Sequence, residues 1–170
     1  MVHIETARLR LRLFTLDDLD AYHTAIFSDP DVTRFLPGGA PRPRDGSERV
    51  IRRFLEHWQQ HDFGIFAVEY EGQVIGHCGL QYIPDTNHVE LAYALAKSCW
   101  GKGLASEAAA ACLRYGFEHL ALDRIVAVFV SENTASERVM QKIGMHHVGL
   151  LACYGTELPC YALEEGERTT

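Results

Sequence analysis

The chain has 170 residues, of which 47% are hydrophobic and 23% are charged, and its formal net charge is −7 at pH 7. This length and composition predict one globular domain over residues 1–170. A negative surface argues against general affinity for nucleic acid or membranes, so we expect neither as a partner. We expect a cytoplasmic protein, because the N-terminus carries too many charges for a signal peptide and no apolar run reaches roughly 20 residues.

The cysteines are odd in number and widely spaced, without the C-x-x-C pattern of a zinc site or redox pair. They are Cys78, Cys99, Cys112, Cys153 and Cys160. We therefore expect buried, reduced thiols and no bound metal.

Leucines alternate with arginines at residues 8–14, which predicts a half-buried strand, and Thr15 with Asp18 resembles a capping box. A later Glu71-Gly72 pair indicates a two-residue hairpin turn. The predicted elements of this half are a strand at 8–14, a helix from Thr15 that ends at Asp29-Pro30, a loop from Pro37 to Gly46, a helix at 47–61 capped by Ser47, and strands at 64–70 and 74–82.

In the second half, the continuous apolar run at 125–130 is typical of a parallel strand that is covered on both faces. The predicted elements are strands at 88–96 and 125–130 separated by a helix at 104–120, a short helix at 133–143 closed by Gly144, and strands at 146–153 and 159–163. The order predicts an α+β fold with a mostly antiparallel mixed sheet of about seven strands, one parallel pair and about four flanking helices.

The stretch SCWGKGLASEA (98–108) places Gly101 and Gly103 on either side of Lys102, directly before a helical pattern. A glycine turn at a helix N-terminus directs free N–H groups and the positive end of the helix dipole at one point, which favours binding of a phosphate. The alternative is a tight helix-entry turn without a ligand. A dinucleotide fold is disfavoured, because Asp123 precedes the next strand instead of ending it.

Three stretches together resemble the GNAT superfamily of acyl-CoA-dependent N-acyltransferases, and within it the RimJ/RimL-like branch that acetylates N-termini of ribosomal proteins. They are ETARLRLRLFTLDDLDAY (5–22), VELAYALAKSCWGKGLASEA (89–108) and LDRIVAVFVSENTASERVMQKIGM (122–145). The resemblance covers nearly the whole chain and implies a GNAT-like fold. It also implies that acetyl-CoA is the co-substrate and that an amine is the acceptor.

The resemblance implies a set of cofactor-binding residues. The diphosphate would rest on the amides of Gly101, Lys102, Gly103, Leu104, Ala105 and Ser106. The pantetheine arm would pair with the strand that carries Tyr93, Ala94 and Leu95. Asn133 would contact the cofactor and Ser136 would lie near the thiol, although either residue can instead serve only the start of its helix.

The sequence departs from the family pattern at three positions. Trp100 replaces a frequent Arg or Gln, which leaves phosphate binding little affected. Met140 stands where many members have the tyrosine that reprotonates the thiolate, so Ser136 is the candidate acid. Met145 replaces a customary Phe and is expected to be a core substitution of similar bulk.

Glu90 is the candidate base, because it lies on the strand that leads to the glycine turn. The alternative is a solvated residue on the outer face, and His77 and Glu157 are weaker candidates for the base. The resulting prediction is an N-acetyltransferase, monomeric or homodimeric, in which the amine attacks the thioester directly. A non-catalytic acyl-CoA-binding module and an enzyme for longer acyl chains stay open, as does the acceptor: a protein N-terminus, a polyamine, an antibiotic or an amino acid analogue.

Overall fold

The fold is organised around one mixed β-sheet, and the computed structural model describes residues 1–168. The strands are β1 His3–Glu5, β2 Leu9–Arg12, β3 Ile65–Tyr70, β4 Gln73–Tyr82, β5 Val89–Leu95, β6 Arg124–Val128, β7 His146–Cys153 and β8 Thr156–Glu164. The α-helices are α1 Leu19–Tyr22, α2 Pro30–Thr33, α3 Arg44–His61, α4 Leu104–Glu118 and α5 Thr134–Lys142.

The strands follow the order β1-β2-β3-β4-β5-β6-β8-β7. Every neighbouring pair is antiparallel except β5 and β6, which are parallel. The predicted α+β fold with one parallel pair is therefore confirmed. The eighth strand, β1, was not predicted because it has only three residues, too few for an alternating pattern to be recognised.

Helices cover both faces of the sheet and divide its residues between two apolar cores. Leu91 and Tyr93 of β5 belong to the face that packs on α4, together with Met140 of α5. Ala92 and Ala94 pack on the opposite face, against the core formed with α1 and α3. The alternation of β5 thus sends neighbouring side chains into two different layers.

The region between β2 and α3 differs from its prediction. Instead of one helix from Thr15 to Asp29, a 3₁₀ turn at Leu16–Asp18, α1 and a π-helical turn at His23–Phe27 follow one another. This helical segment ends at Phe27, just before Asp29 and Pro30, as predicted. Asp29 and Pro30 also begin α2, because the Asp29 carboxylate accepts from the Asp31 N–H at 2.9 Å and proline suits the first helical position.

Ser47 does not cap α3, which begins at Arg44 after Pro43. Ser47 lies inside the helix, is fully buried and shares a 2.8 Å hydrogen bond between its Oγ and Nδ1 of His23. The serine hydroxyl therefore bonds to the preceding helical segment. A sequence pattern within α3 alone cannot predict this contact.

Two hairpins close with two-residue turns whose central residues both have positive φ. Glu71 and Gly72, at 50° and 77°, confirm the predicted turn between β3 and β4. Tyr154 and Gly155, at 52° and 76°, connect β7 to β8 in the same manner. Such turns match the twist of the strands that they join. The second turn fixes the position of Tyr154 next to the candidate site.

Candidate active site

A wedge opens between β5 and β6, the two parallel strands. They are paired only at Glu90 and Val126, whereas β5 continues to Leu95 with β4 as its partner on the other edge. Beyond Glu90 the edge of β5 that faces β6 is thus without a strand partner in residues 1–168. This is the shape into which an extended ligand can insert and pair with β5 as an added strand.

The mouth of the wedge is the turn that leads from β5 to α4. Gly101 and Gly103 have φ of 73° and 77°, a conformation that favours glycine. Within residues 1–168 the backbone amides of 101–106 have no hydrogen-bond acceptor. A Cβ at Gly101 would have no atom of the described residues within 4 Å apart from its chain neighbours. Free amides beside open space at the start of a 15-residue helix fit an anion such as a diphosphate.

Hydrogen bonds from side chains on both sides of the turn hold it in place. Trp100 donates from Nε1 to the carbonyl oxygen of Leu95 at 2.9 Å, so its indole anchors the turn to β5. Glu107, in the first turn of α4, accepts from the hydroxyl of Thr6 at 2.6 Å and from Nε of Arg8 at 2.7 Å. Burial alone raises the pKa of Glu107, but these hydrogen bonds lower it overall. Arg8 therefore offsets a carboxylate that would otherwise repel an anion at this helix end.

Two further cations, Lys142 and Lys102, lie near the turn. A Cβ built on Gly103 would be 3.5 Å from Nη2 of Arg8 and 4.0 Å from Nζ of Lys142. Lys102 is exposed, and its Nζ lies 5.9 Å from the centre of the Tyr70 ring. The turn is therefore positive at a place where a phosphate group would be held.

Glu90 lies at the closed end of the wedge and is buried, with 4% of its surface exposed. Nε2 of Gln81, directly opposite on β4, donates to Oε1 of Glu90 at 2.9 Å, and the hydroxyl of Tyr154 also donates to Oε1. Burial raises the pKa of Glu90, while these two hydrogen bonds lower it. Its burial excludes the alternative of a solvated residue on the outer face and leaves a carboxylate with the environment of a general base.

The two weaker candidates for the base have other environments. His77 is buried and hydrogen-bonded through Nδ1 to the hydroxyl of Tyr22 at 2.9 Å, and its pKa is lowered to about 4 by burial and by Arg53. It shares a face of β4 with Gln81 but lies four residues away, a distance of about 13 Å along a strand. Glu157 is exposed on β8.

Tyr93 and Ser136 approach each other across the wedge. The hydroxyl oxygen of Tyr93 is 2.8 Å from Oγ of Ser136 and 3.2 Å from the carbonyl oxygen of the same residue. Asn133 caps α5, because its Oδ1 accepts from the Ser136 N–H at 3.1 Å. Its capping role is thus established, and a contact with a ligand stays a prediction.

Sequence reasoning did not identify Gln81 and Tyr154 as neighbours of Glu90, nor Arg8 as a clamp on the turn. Gln81 can be found by aligning the predicted strands around the turn at residues 84–87, which places it opposite Glu90. Tyr154 has no comparable signal, because Tyr-Gly is not one of the usual pairs of a two-residue hairpin turn. Arg8 has no such local signal.

Other sequence expectations concern residues away from the wedge. The five cysteines are buried and free, as predicted. Met145 is buried in the core, as predicted for a substitution of similar bulk. In the described part of the chain, no three His, Cys, Asp or Glu side chains are grouped as a metal site requires. None of the helices within residues 1–168 has the length and apolarity needed to cross a bilayer.

Comparison with known proteins agrees with this fold. A family model described as an acetyltransferase (GNAT) domain matches residues 8–146. The chain is 35% identical over 159 residues to a Bacillus licheniformis protein named uncharacterized N-acetyltransferase p20, and the match covers 91% of this chain and 88% of that protein. A GNAT-family acetyltransferase from Bacillus anthracis has a similar structure, with a TM-score of 0.83 and 30% identity over 98% of this chain and 100% of that one.

RimJ of Mycobacterium smegmatis, solved in complex with CoA-disulfide, shares the fold with a TM-score of 0.80 and 20% identity, over 94% of this chain and 83% of that one. The resemblance to the GNAT superfamily noted in the sequence is confirmed by the family model and by the relatives of 30% identity or more. Since the family model matches most of the chain and a relative exceeds 30% identity over nearly its whole length, the chain belongs to the GNAT acetyltransferase family, whose members use acetyl-CoA.

Proposed function

We propose that the protein transfers the acetyl group of acetyl-CoA to a primary amine, by direct attack of the amine while both substrates are bound. The observation that carries the proposal is the buried carboxylate of Glu90 at the closed end of a wedge whose mouth is lined by free amides. The relative named N-acetyltransferase supports nitrogen as the accepting atom.

Acetyl-CoA supplies an activated thioester, and the chain's own residues bind and orient it. The amides of 101–106 hold the diphosphate, and the helix dipole and the nearby Lys142 ammonium add to the positive field. The edge of β5 at Tyr93, Ala94 and Leu95 pairs with the pantetheine arm. This placement directs the thioester toward Glu90, because β5 runs from Glu90 to the turn.

Glu90 takes the proton that the amine must lose, directly or through one water. Its side chain shares the sheet face of Ala92 and Ala94 and is held by Gln81 and Tyr154, so the amine has to reach it at the closed end of the wedge. As the C–N bond forms and the C–S bond breaks, the sulfur keeps the bonding electron pair and takes up a proton. The base contributes about 10²–10⁴-fold to such a step.

The accepting amine is carried by a cationic molecule or a basic peptide N-terminus. The net charge of −7 and the carboxylate at the end of the wedge both favour a positive acceptor. Peptides that differ only in replacing lysines by glutamates test this preference. Faster acetylation of the acidic member would contradict it.

The test of the function is release of free thiol from acetyl-CoA with a panel of amines and N-terminal peptides. Glu90→Gln should lower kcat about 10²–10⁴-fold and leave acetyl-CoA affinity intact, with a loss that shrinks at high pH as free amine becomes abundant. Glu157→Gln is the matched control, since that carboxylate is exposed on β8 and should be dispensable.

Two results would contradict parts of the proposal. Binding of acetyl-CoA without thiol release for any acceptor would favour the non-catalytic binding module. A wild-type kcat in Glu90→Gln at every pH would show that Glu90 is not the general base. The rate would then come from the positioning of the two substrates.

A further inference from the structure

Glu90 is enclosed, although an amine has to reach it in the proposed reaction. Its side chain is 4% exposed, and Gln81 and Tyr154 both donate to the same oxygen, Oε1. Gln81 belongs to β4, which lies between β3 and β5 inside the sheet, so its backbone cannot move aside. Tyr154 lies in the two-residue turn between β7 and β8 and is 36% exposed. The enclosure of Glu90 therefore depends on a side chain from an exposed turn.

The hairpin that carries Tyr154 is folded back over the sheet. Glu90 pairs with Val126, and Val126 pairs with Ala162 of β8. Thr156, the first residue of β8 after the turn, is six residues from Ala162, or about 20 Å along a straight strand. This is far beyond the reach of a tyrosine side chain, yet the hydroxyl of Tyr154 bonds to Glu90. The hairpin therefore bends over the sheet face on which Glu90 lies.

Two features of the strands permit this bend. The register of β7 against β8 shifts between His147 and Gly149, and such a bulge bends a strand. β8 also loses β6 as a partner beyond Cys160, which pairs with Val128. From there to the turn, β7 is the only strand that pairs with β8 in the described part of the chain. The hairpin tip, residues 151–158, is thus anchored to the sheet at one end only.

Few contacts hold the hairpin tip in its folded-back position. Cys153 is the only buried residue of the tip, and it packs in the apolar cluster that contains Val126. The tip is also held by the hydrogen bond from Tyr154 to Glu90. Burial and the neighbouring carboxylate raise the pKa of Tyr154, so its phenol stays neutral and donates. A single hydroxyl thus joins the tip to the candidate base.

The residue type at position 154 departs from what its turn favours. Tyr154 and Gly155 both have positive φ, at 52° and 76°. Asn-Gly is a preferred pair for such turns, and a bulky side chain at positive φ is uncommon. A residue that weakens its own turn is typical of a functional position. Here the compensating contribution is the hydroxyl at Glu90.

We propose that Tyr154 is a gate through which the accepting amine reaches Glu90. This inference rests on the proposed function, and Tyr154 is a positioning residue in it. In the closed form its hydroxyl occupies Oε1 of Glu90, and in the open form the amine takes that place and donates to the same oxygen. One hydrogen bond to the carboxylate replaces another, so the charge is never left without a donor. The two substrates enter by separate routes, since the pantetheine arm fills the wedge.

The test measures how readily Glu90 reacts with a water-soluble carbodiimide and methylamine, by mass spectrometry of the peptide that contains it. Tyr154→Asn removes the gate and gives the turn the Asn-Gly pair that it prefers, so this variant should fold. Labelling of Glu90 should rise about tenfold in it, which corresponds to a gate that is open about a tenth of the time. Glu157 is exposed and serves as the internal reference, since its labelling should stay the same.

Gln81→Leu is the matched control, because it removes the other hydrogen bond to Oε1 and leaves the gate in place. Both hydrogen bonds lower the pKa of Glu90, so both substitutions raise it, while only Tyr154→Asn opens access. With a verified acceptor, the KM for the amine should fall about tenfold in Tyr154→Asn, because the amine no longer waits for the open form. The KM for acetyl-CoA should not change.

Equal labelling of Glu90 in the wild type and Tyr154→Asn, or an equal rise in Gln81→Leu, would overturn the gate. A higher KM for the amine in Tyr154→Asn would also overturn it, because the tyrosine would then bind the acceptor instead of excluding it. Absence of thiol release with every amine would instead overturn the proposed function. The two failures are distinguishable, since the labelling needs no acceptor and no turnover.

Discussion

Nη1 of Arg8 donates to the carbonyl oxygen of Lys102 at 2.8 Å, which ties the residue before β2 to the glycine turn after β5. The same guanidinium pairs with Glu107 at 2.7 Å. One side chain thus fixes the backbone of the turn and compensates the carboxylate in the first turn of α4. The shape and the charge of the glycine turn therefore depend on a segment that lies far from it in sequence.

Replacing Arg8 by Gln should weaken acetyl-CoA binding about three- to tenfold and leave kcat nearly unchanged. The expected loss of affinity corresponds to one charge-assisted hydrogen bond in a partly exposed position, which contributes about 1 kcal/mol. Titration calorimetry with acetyl-CoA measures the effect. Arg10→Gln is the matched control, because Arg10 points to the same side two residues later and, within residues 1–168, forms an ion pair only with Glu5. Equal losses in both variants would contradict the clamp.

Gly103→Val should reduce acetyl-CoA affinity more than tenfold in a protein that still folds. Valine is strained at a φ of 77°, and its side chain would occupy space beside Arg8 and Lys142 where the phosphate is expected. Gly39→Val imposes similar strain, at a φ of 64°, in a loop where the added Cβ would have no atom of residues 1–168 within 4 Å apart from its chain neighbours. Affinity should therefore fall in Gly103→Val only. Unchanged affinity in folded Gly103→Val would show that the phosphate is not bound at this turn.

Tyr154→Phe should move the acid limb of the kcat/KM profile to higher pH by about half a unit to one unit. Burial raises the pKa of Glu90 and the Tyr154 hydroxyl lowers it, so loss of the hydroxyl raises it further. More of the base is then protonated at a given pH. Tyr82→Phe removes an exposed hydroxyl whose ring lies on the other face of β4, and its profile should match that of the wild type.

Local patterns were sufficient to predict the parts of the site that are continuous in sequence. The glycine turn, the strand that carries Glu90 and the helix that begins after Asn133 each have a signal within a few residues: two glycines around a lysine, a preceding turn at residues 84–87 and an N-cap. These features determine where the wedge and its mouth lie.

Contacts between distant segments could not be predicted in this way. Tyr93 and Ser136 are 43 residues apart, and Arg8 and Glu107 are 99 apart. Each pair depends on the order and register of strands and on the packing of a helix, which apolar spacing alone does not determine. The same reason explains Ser47, whose hydroxyl bonds to His23 instead of capping its own helix.

The last prediction concerns His77, which is buried between Tyr22 and Phe54 and whose pKa is lowered from 6.5 to about 4. Between these two values the unfolded chain binds a proton that the folded protein does not. The free energy of unfolding should therefore fall as the pH decreases from about 6.5 to about 4, by about 3 kcal/mol from this residue. Urea unfolding at a series of pH values measures the slope.

His77→Leu should remove that slope, because no group is left at this position to take up the proton. Tyr22→Phe is the matched control: it deletes the hydroxyl bonded to Nδ1 and costs about 1 kcal/mol, yet it should keep the slope. Burial, the first cause of the lowered pKa, is unchanged by that substitution. A wild-type slope in His77→Leu would show that other groups cause the acid sensitivity, and a flat profile in Tyr22→Phe would assign it to the hydrogen bond.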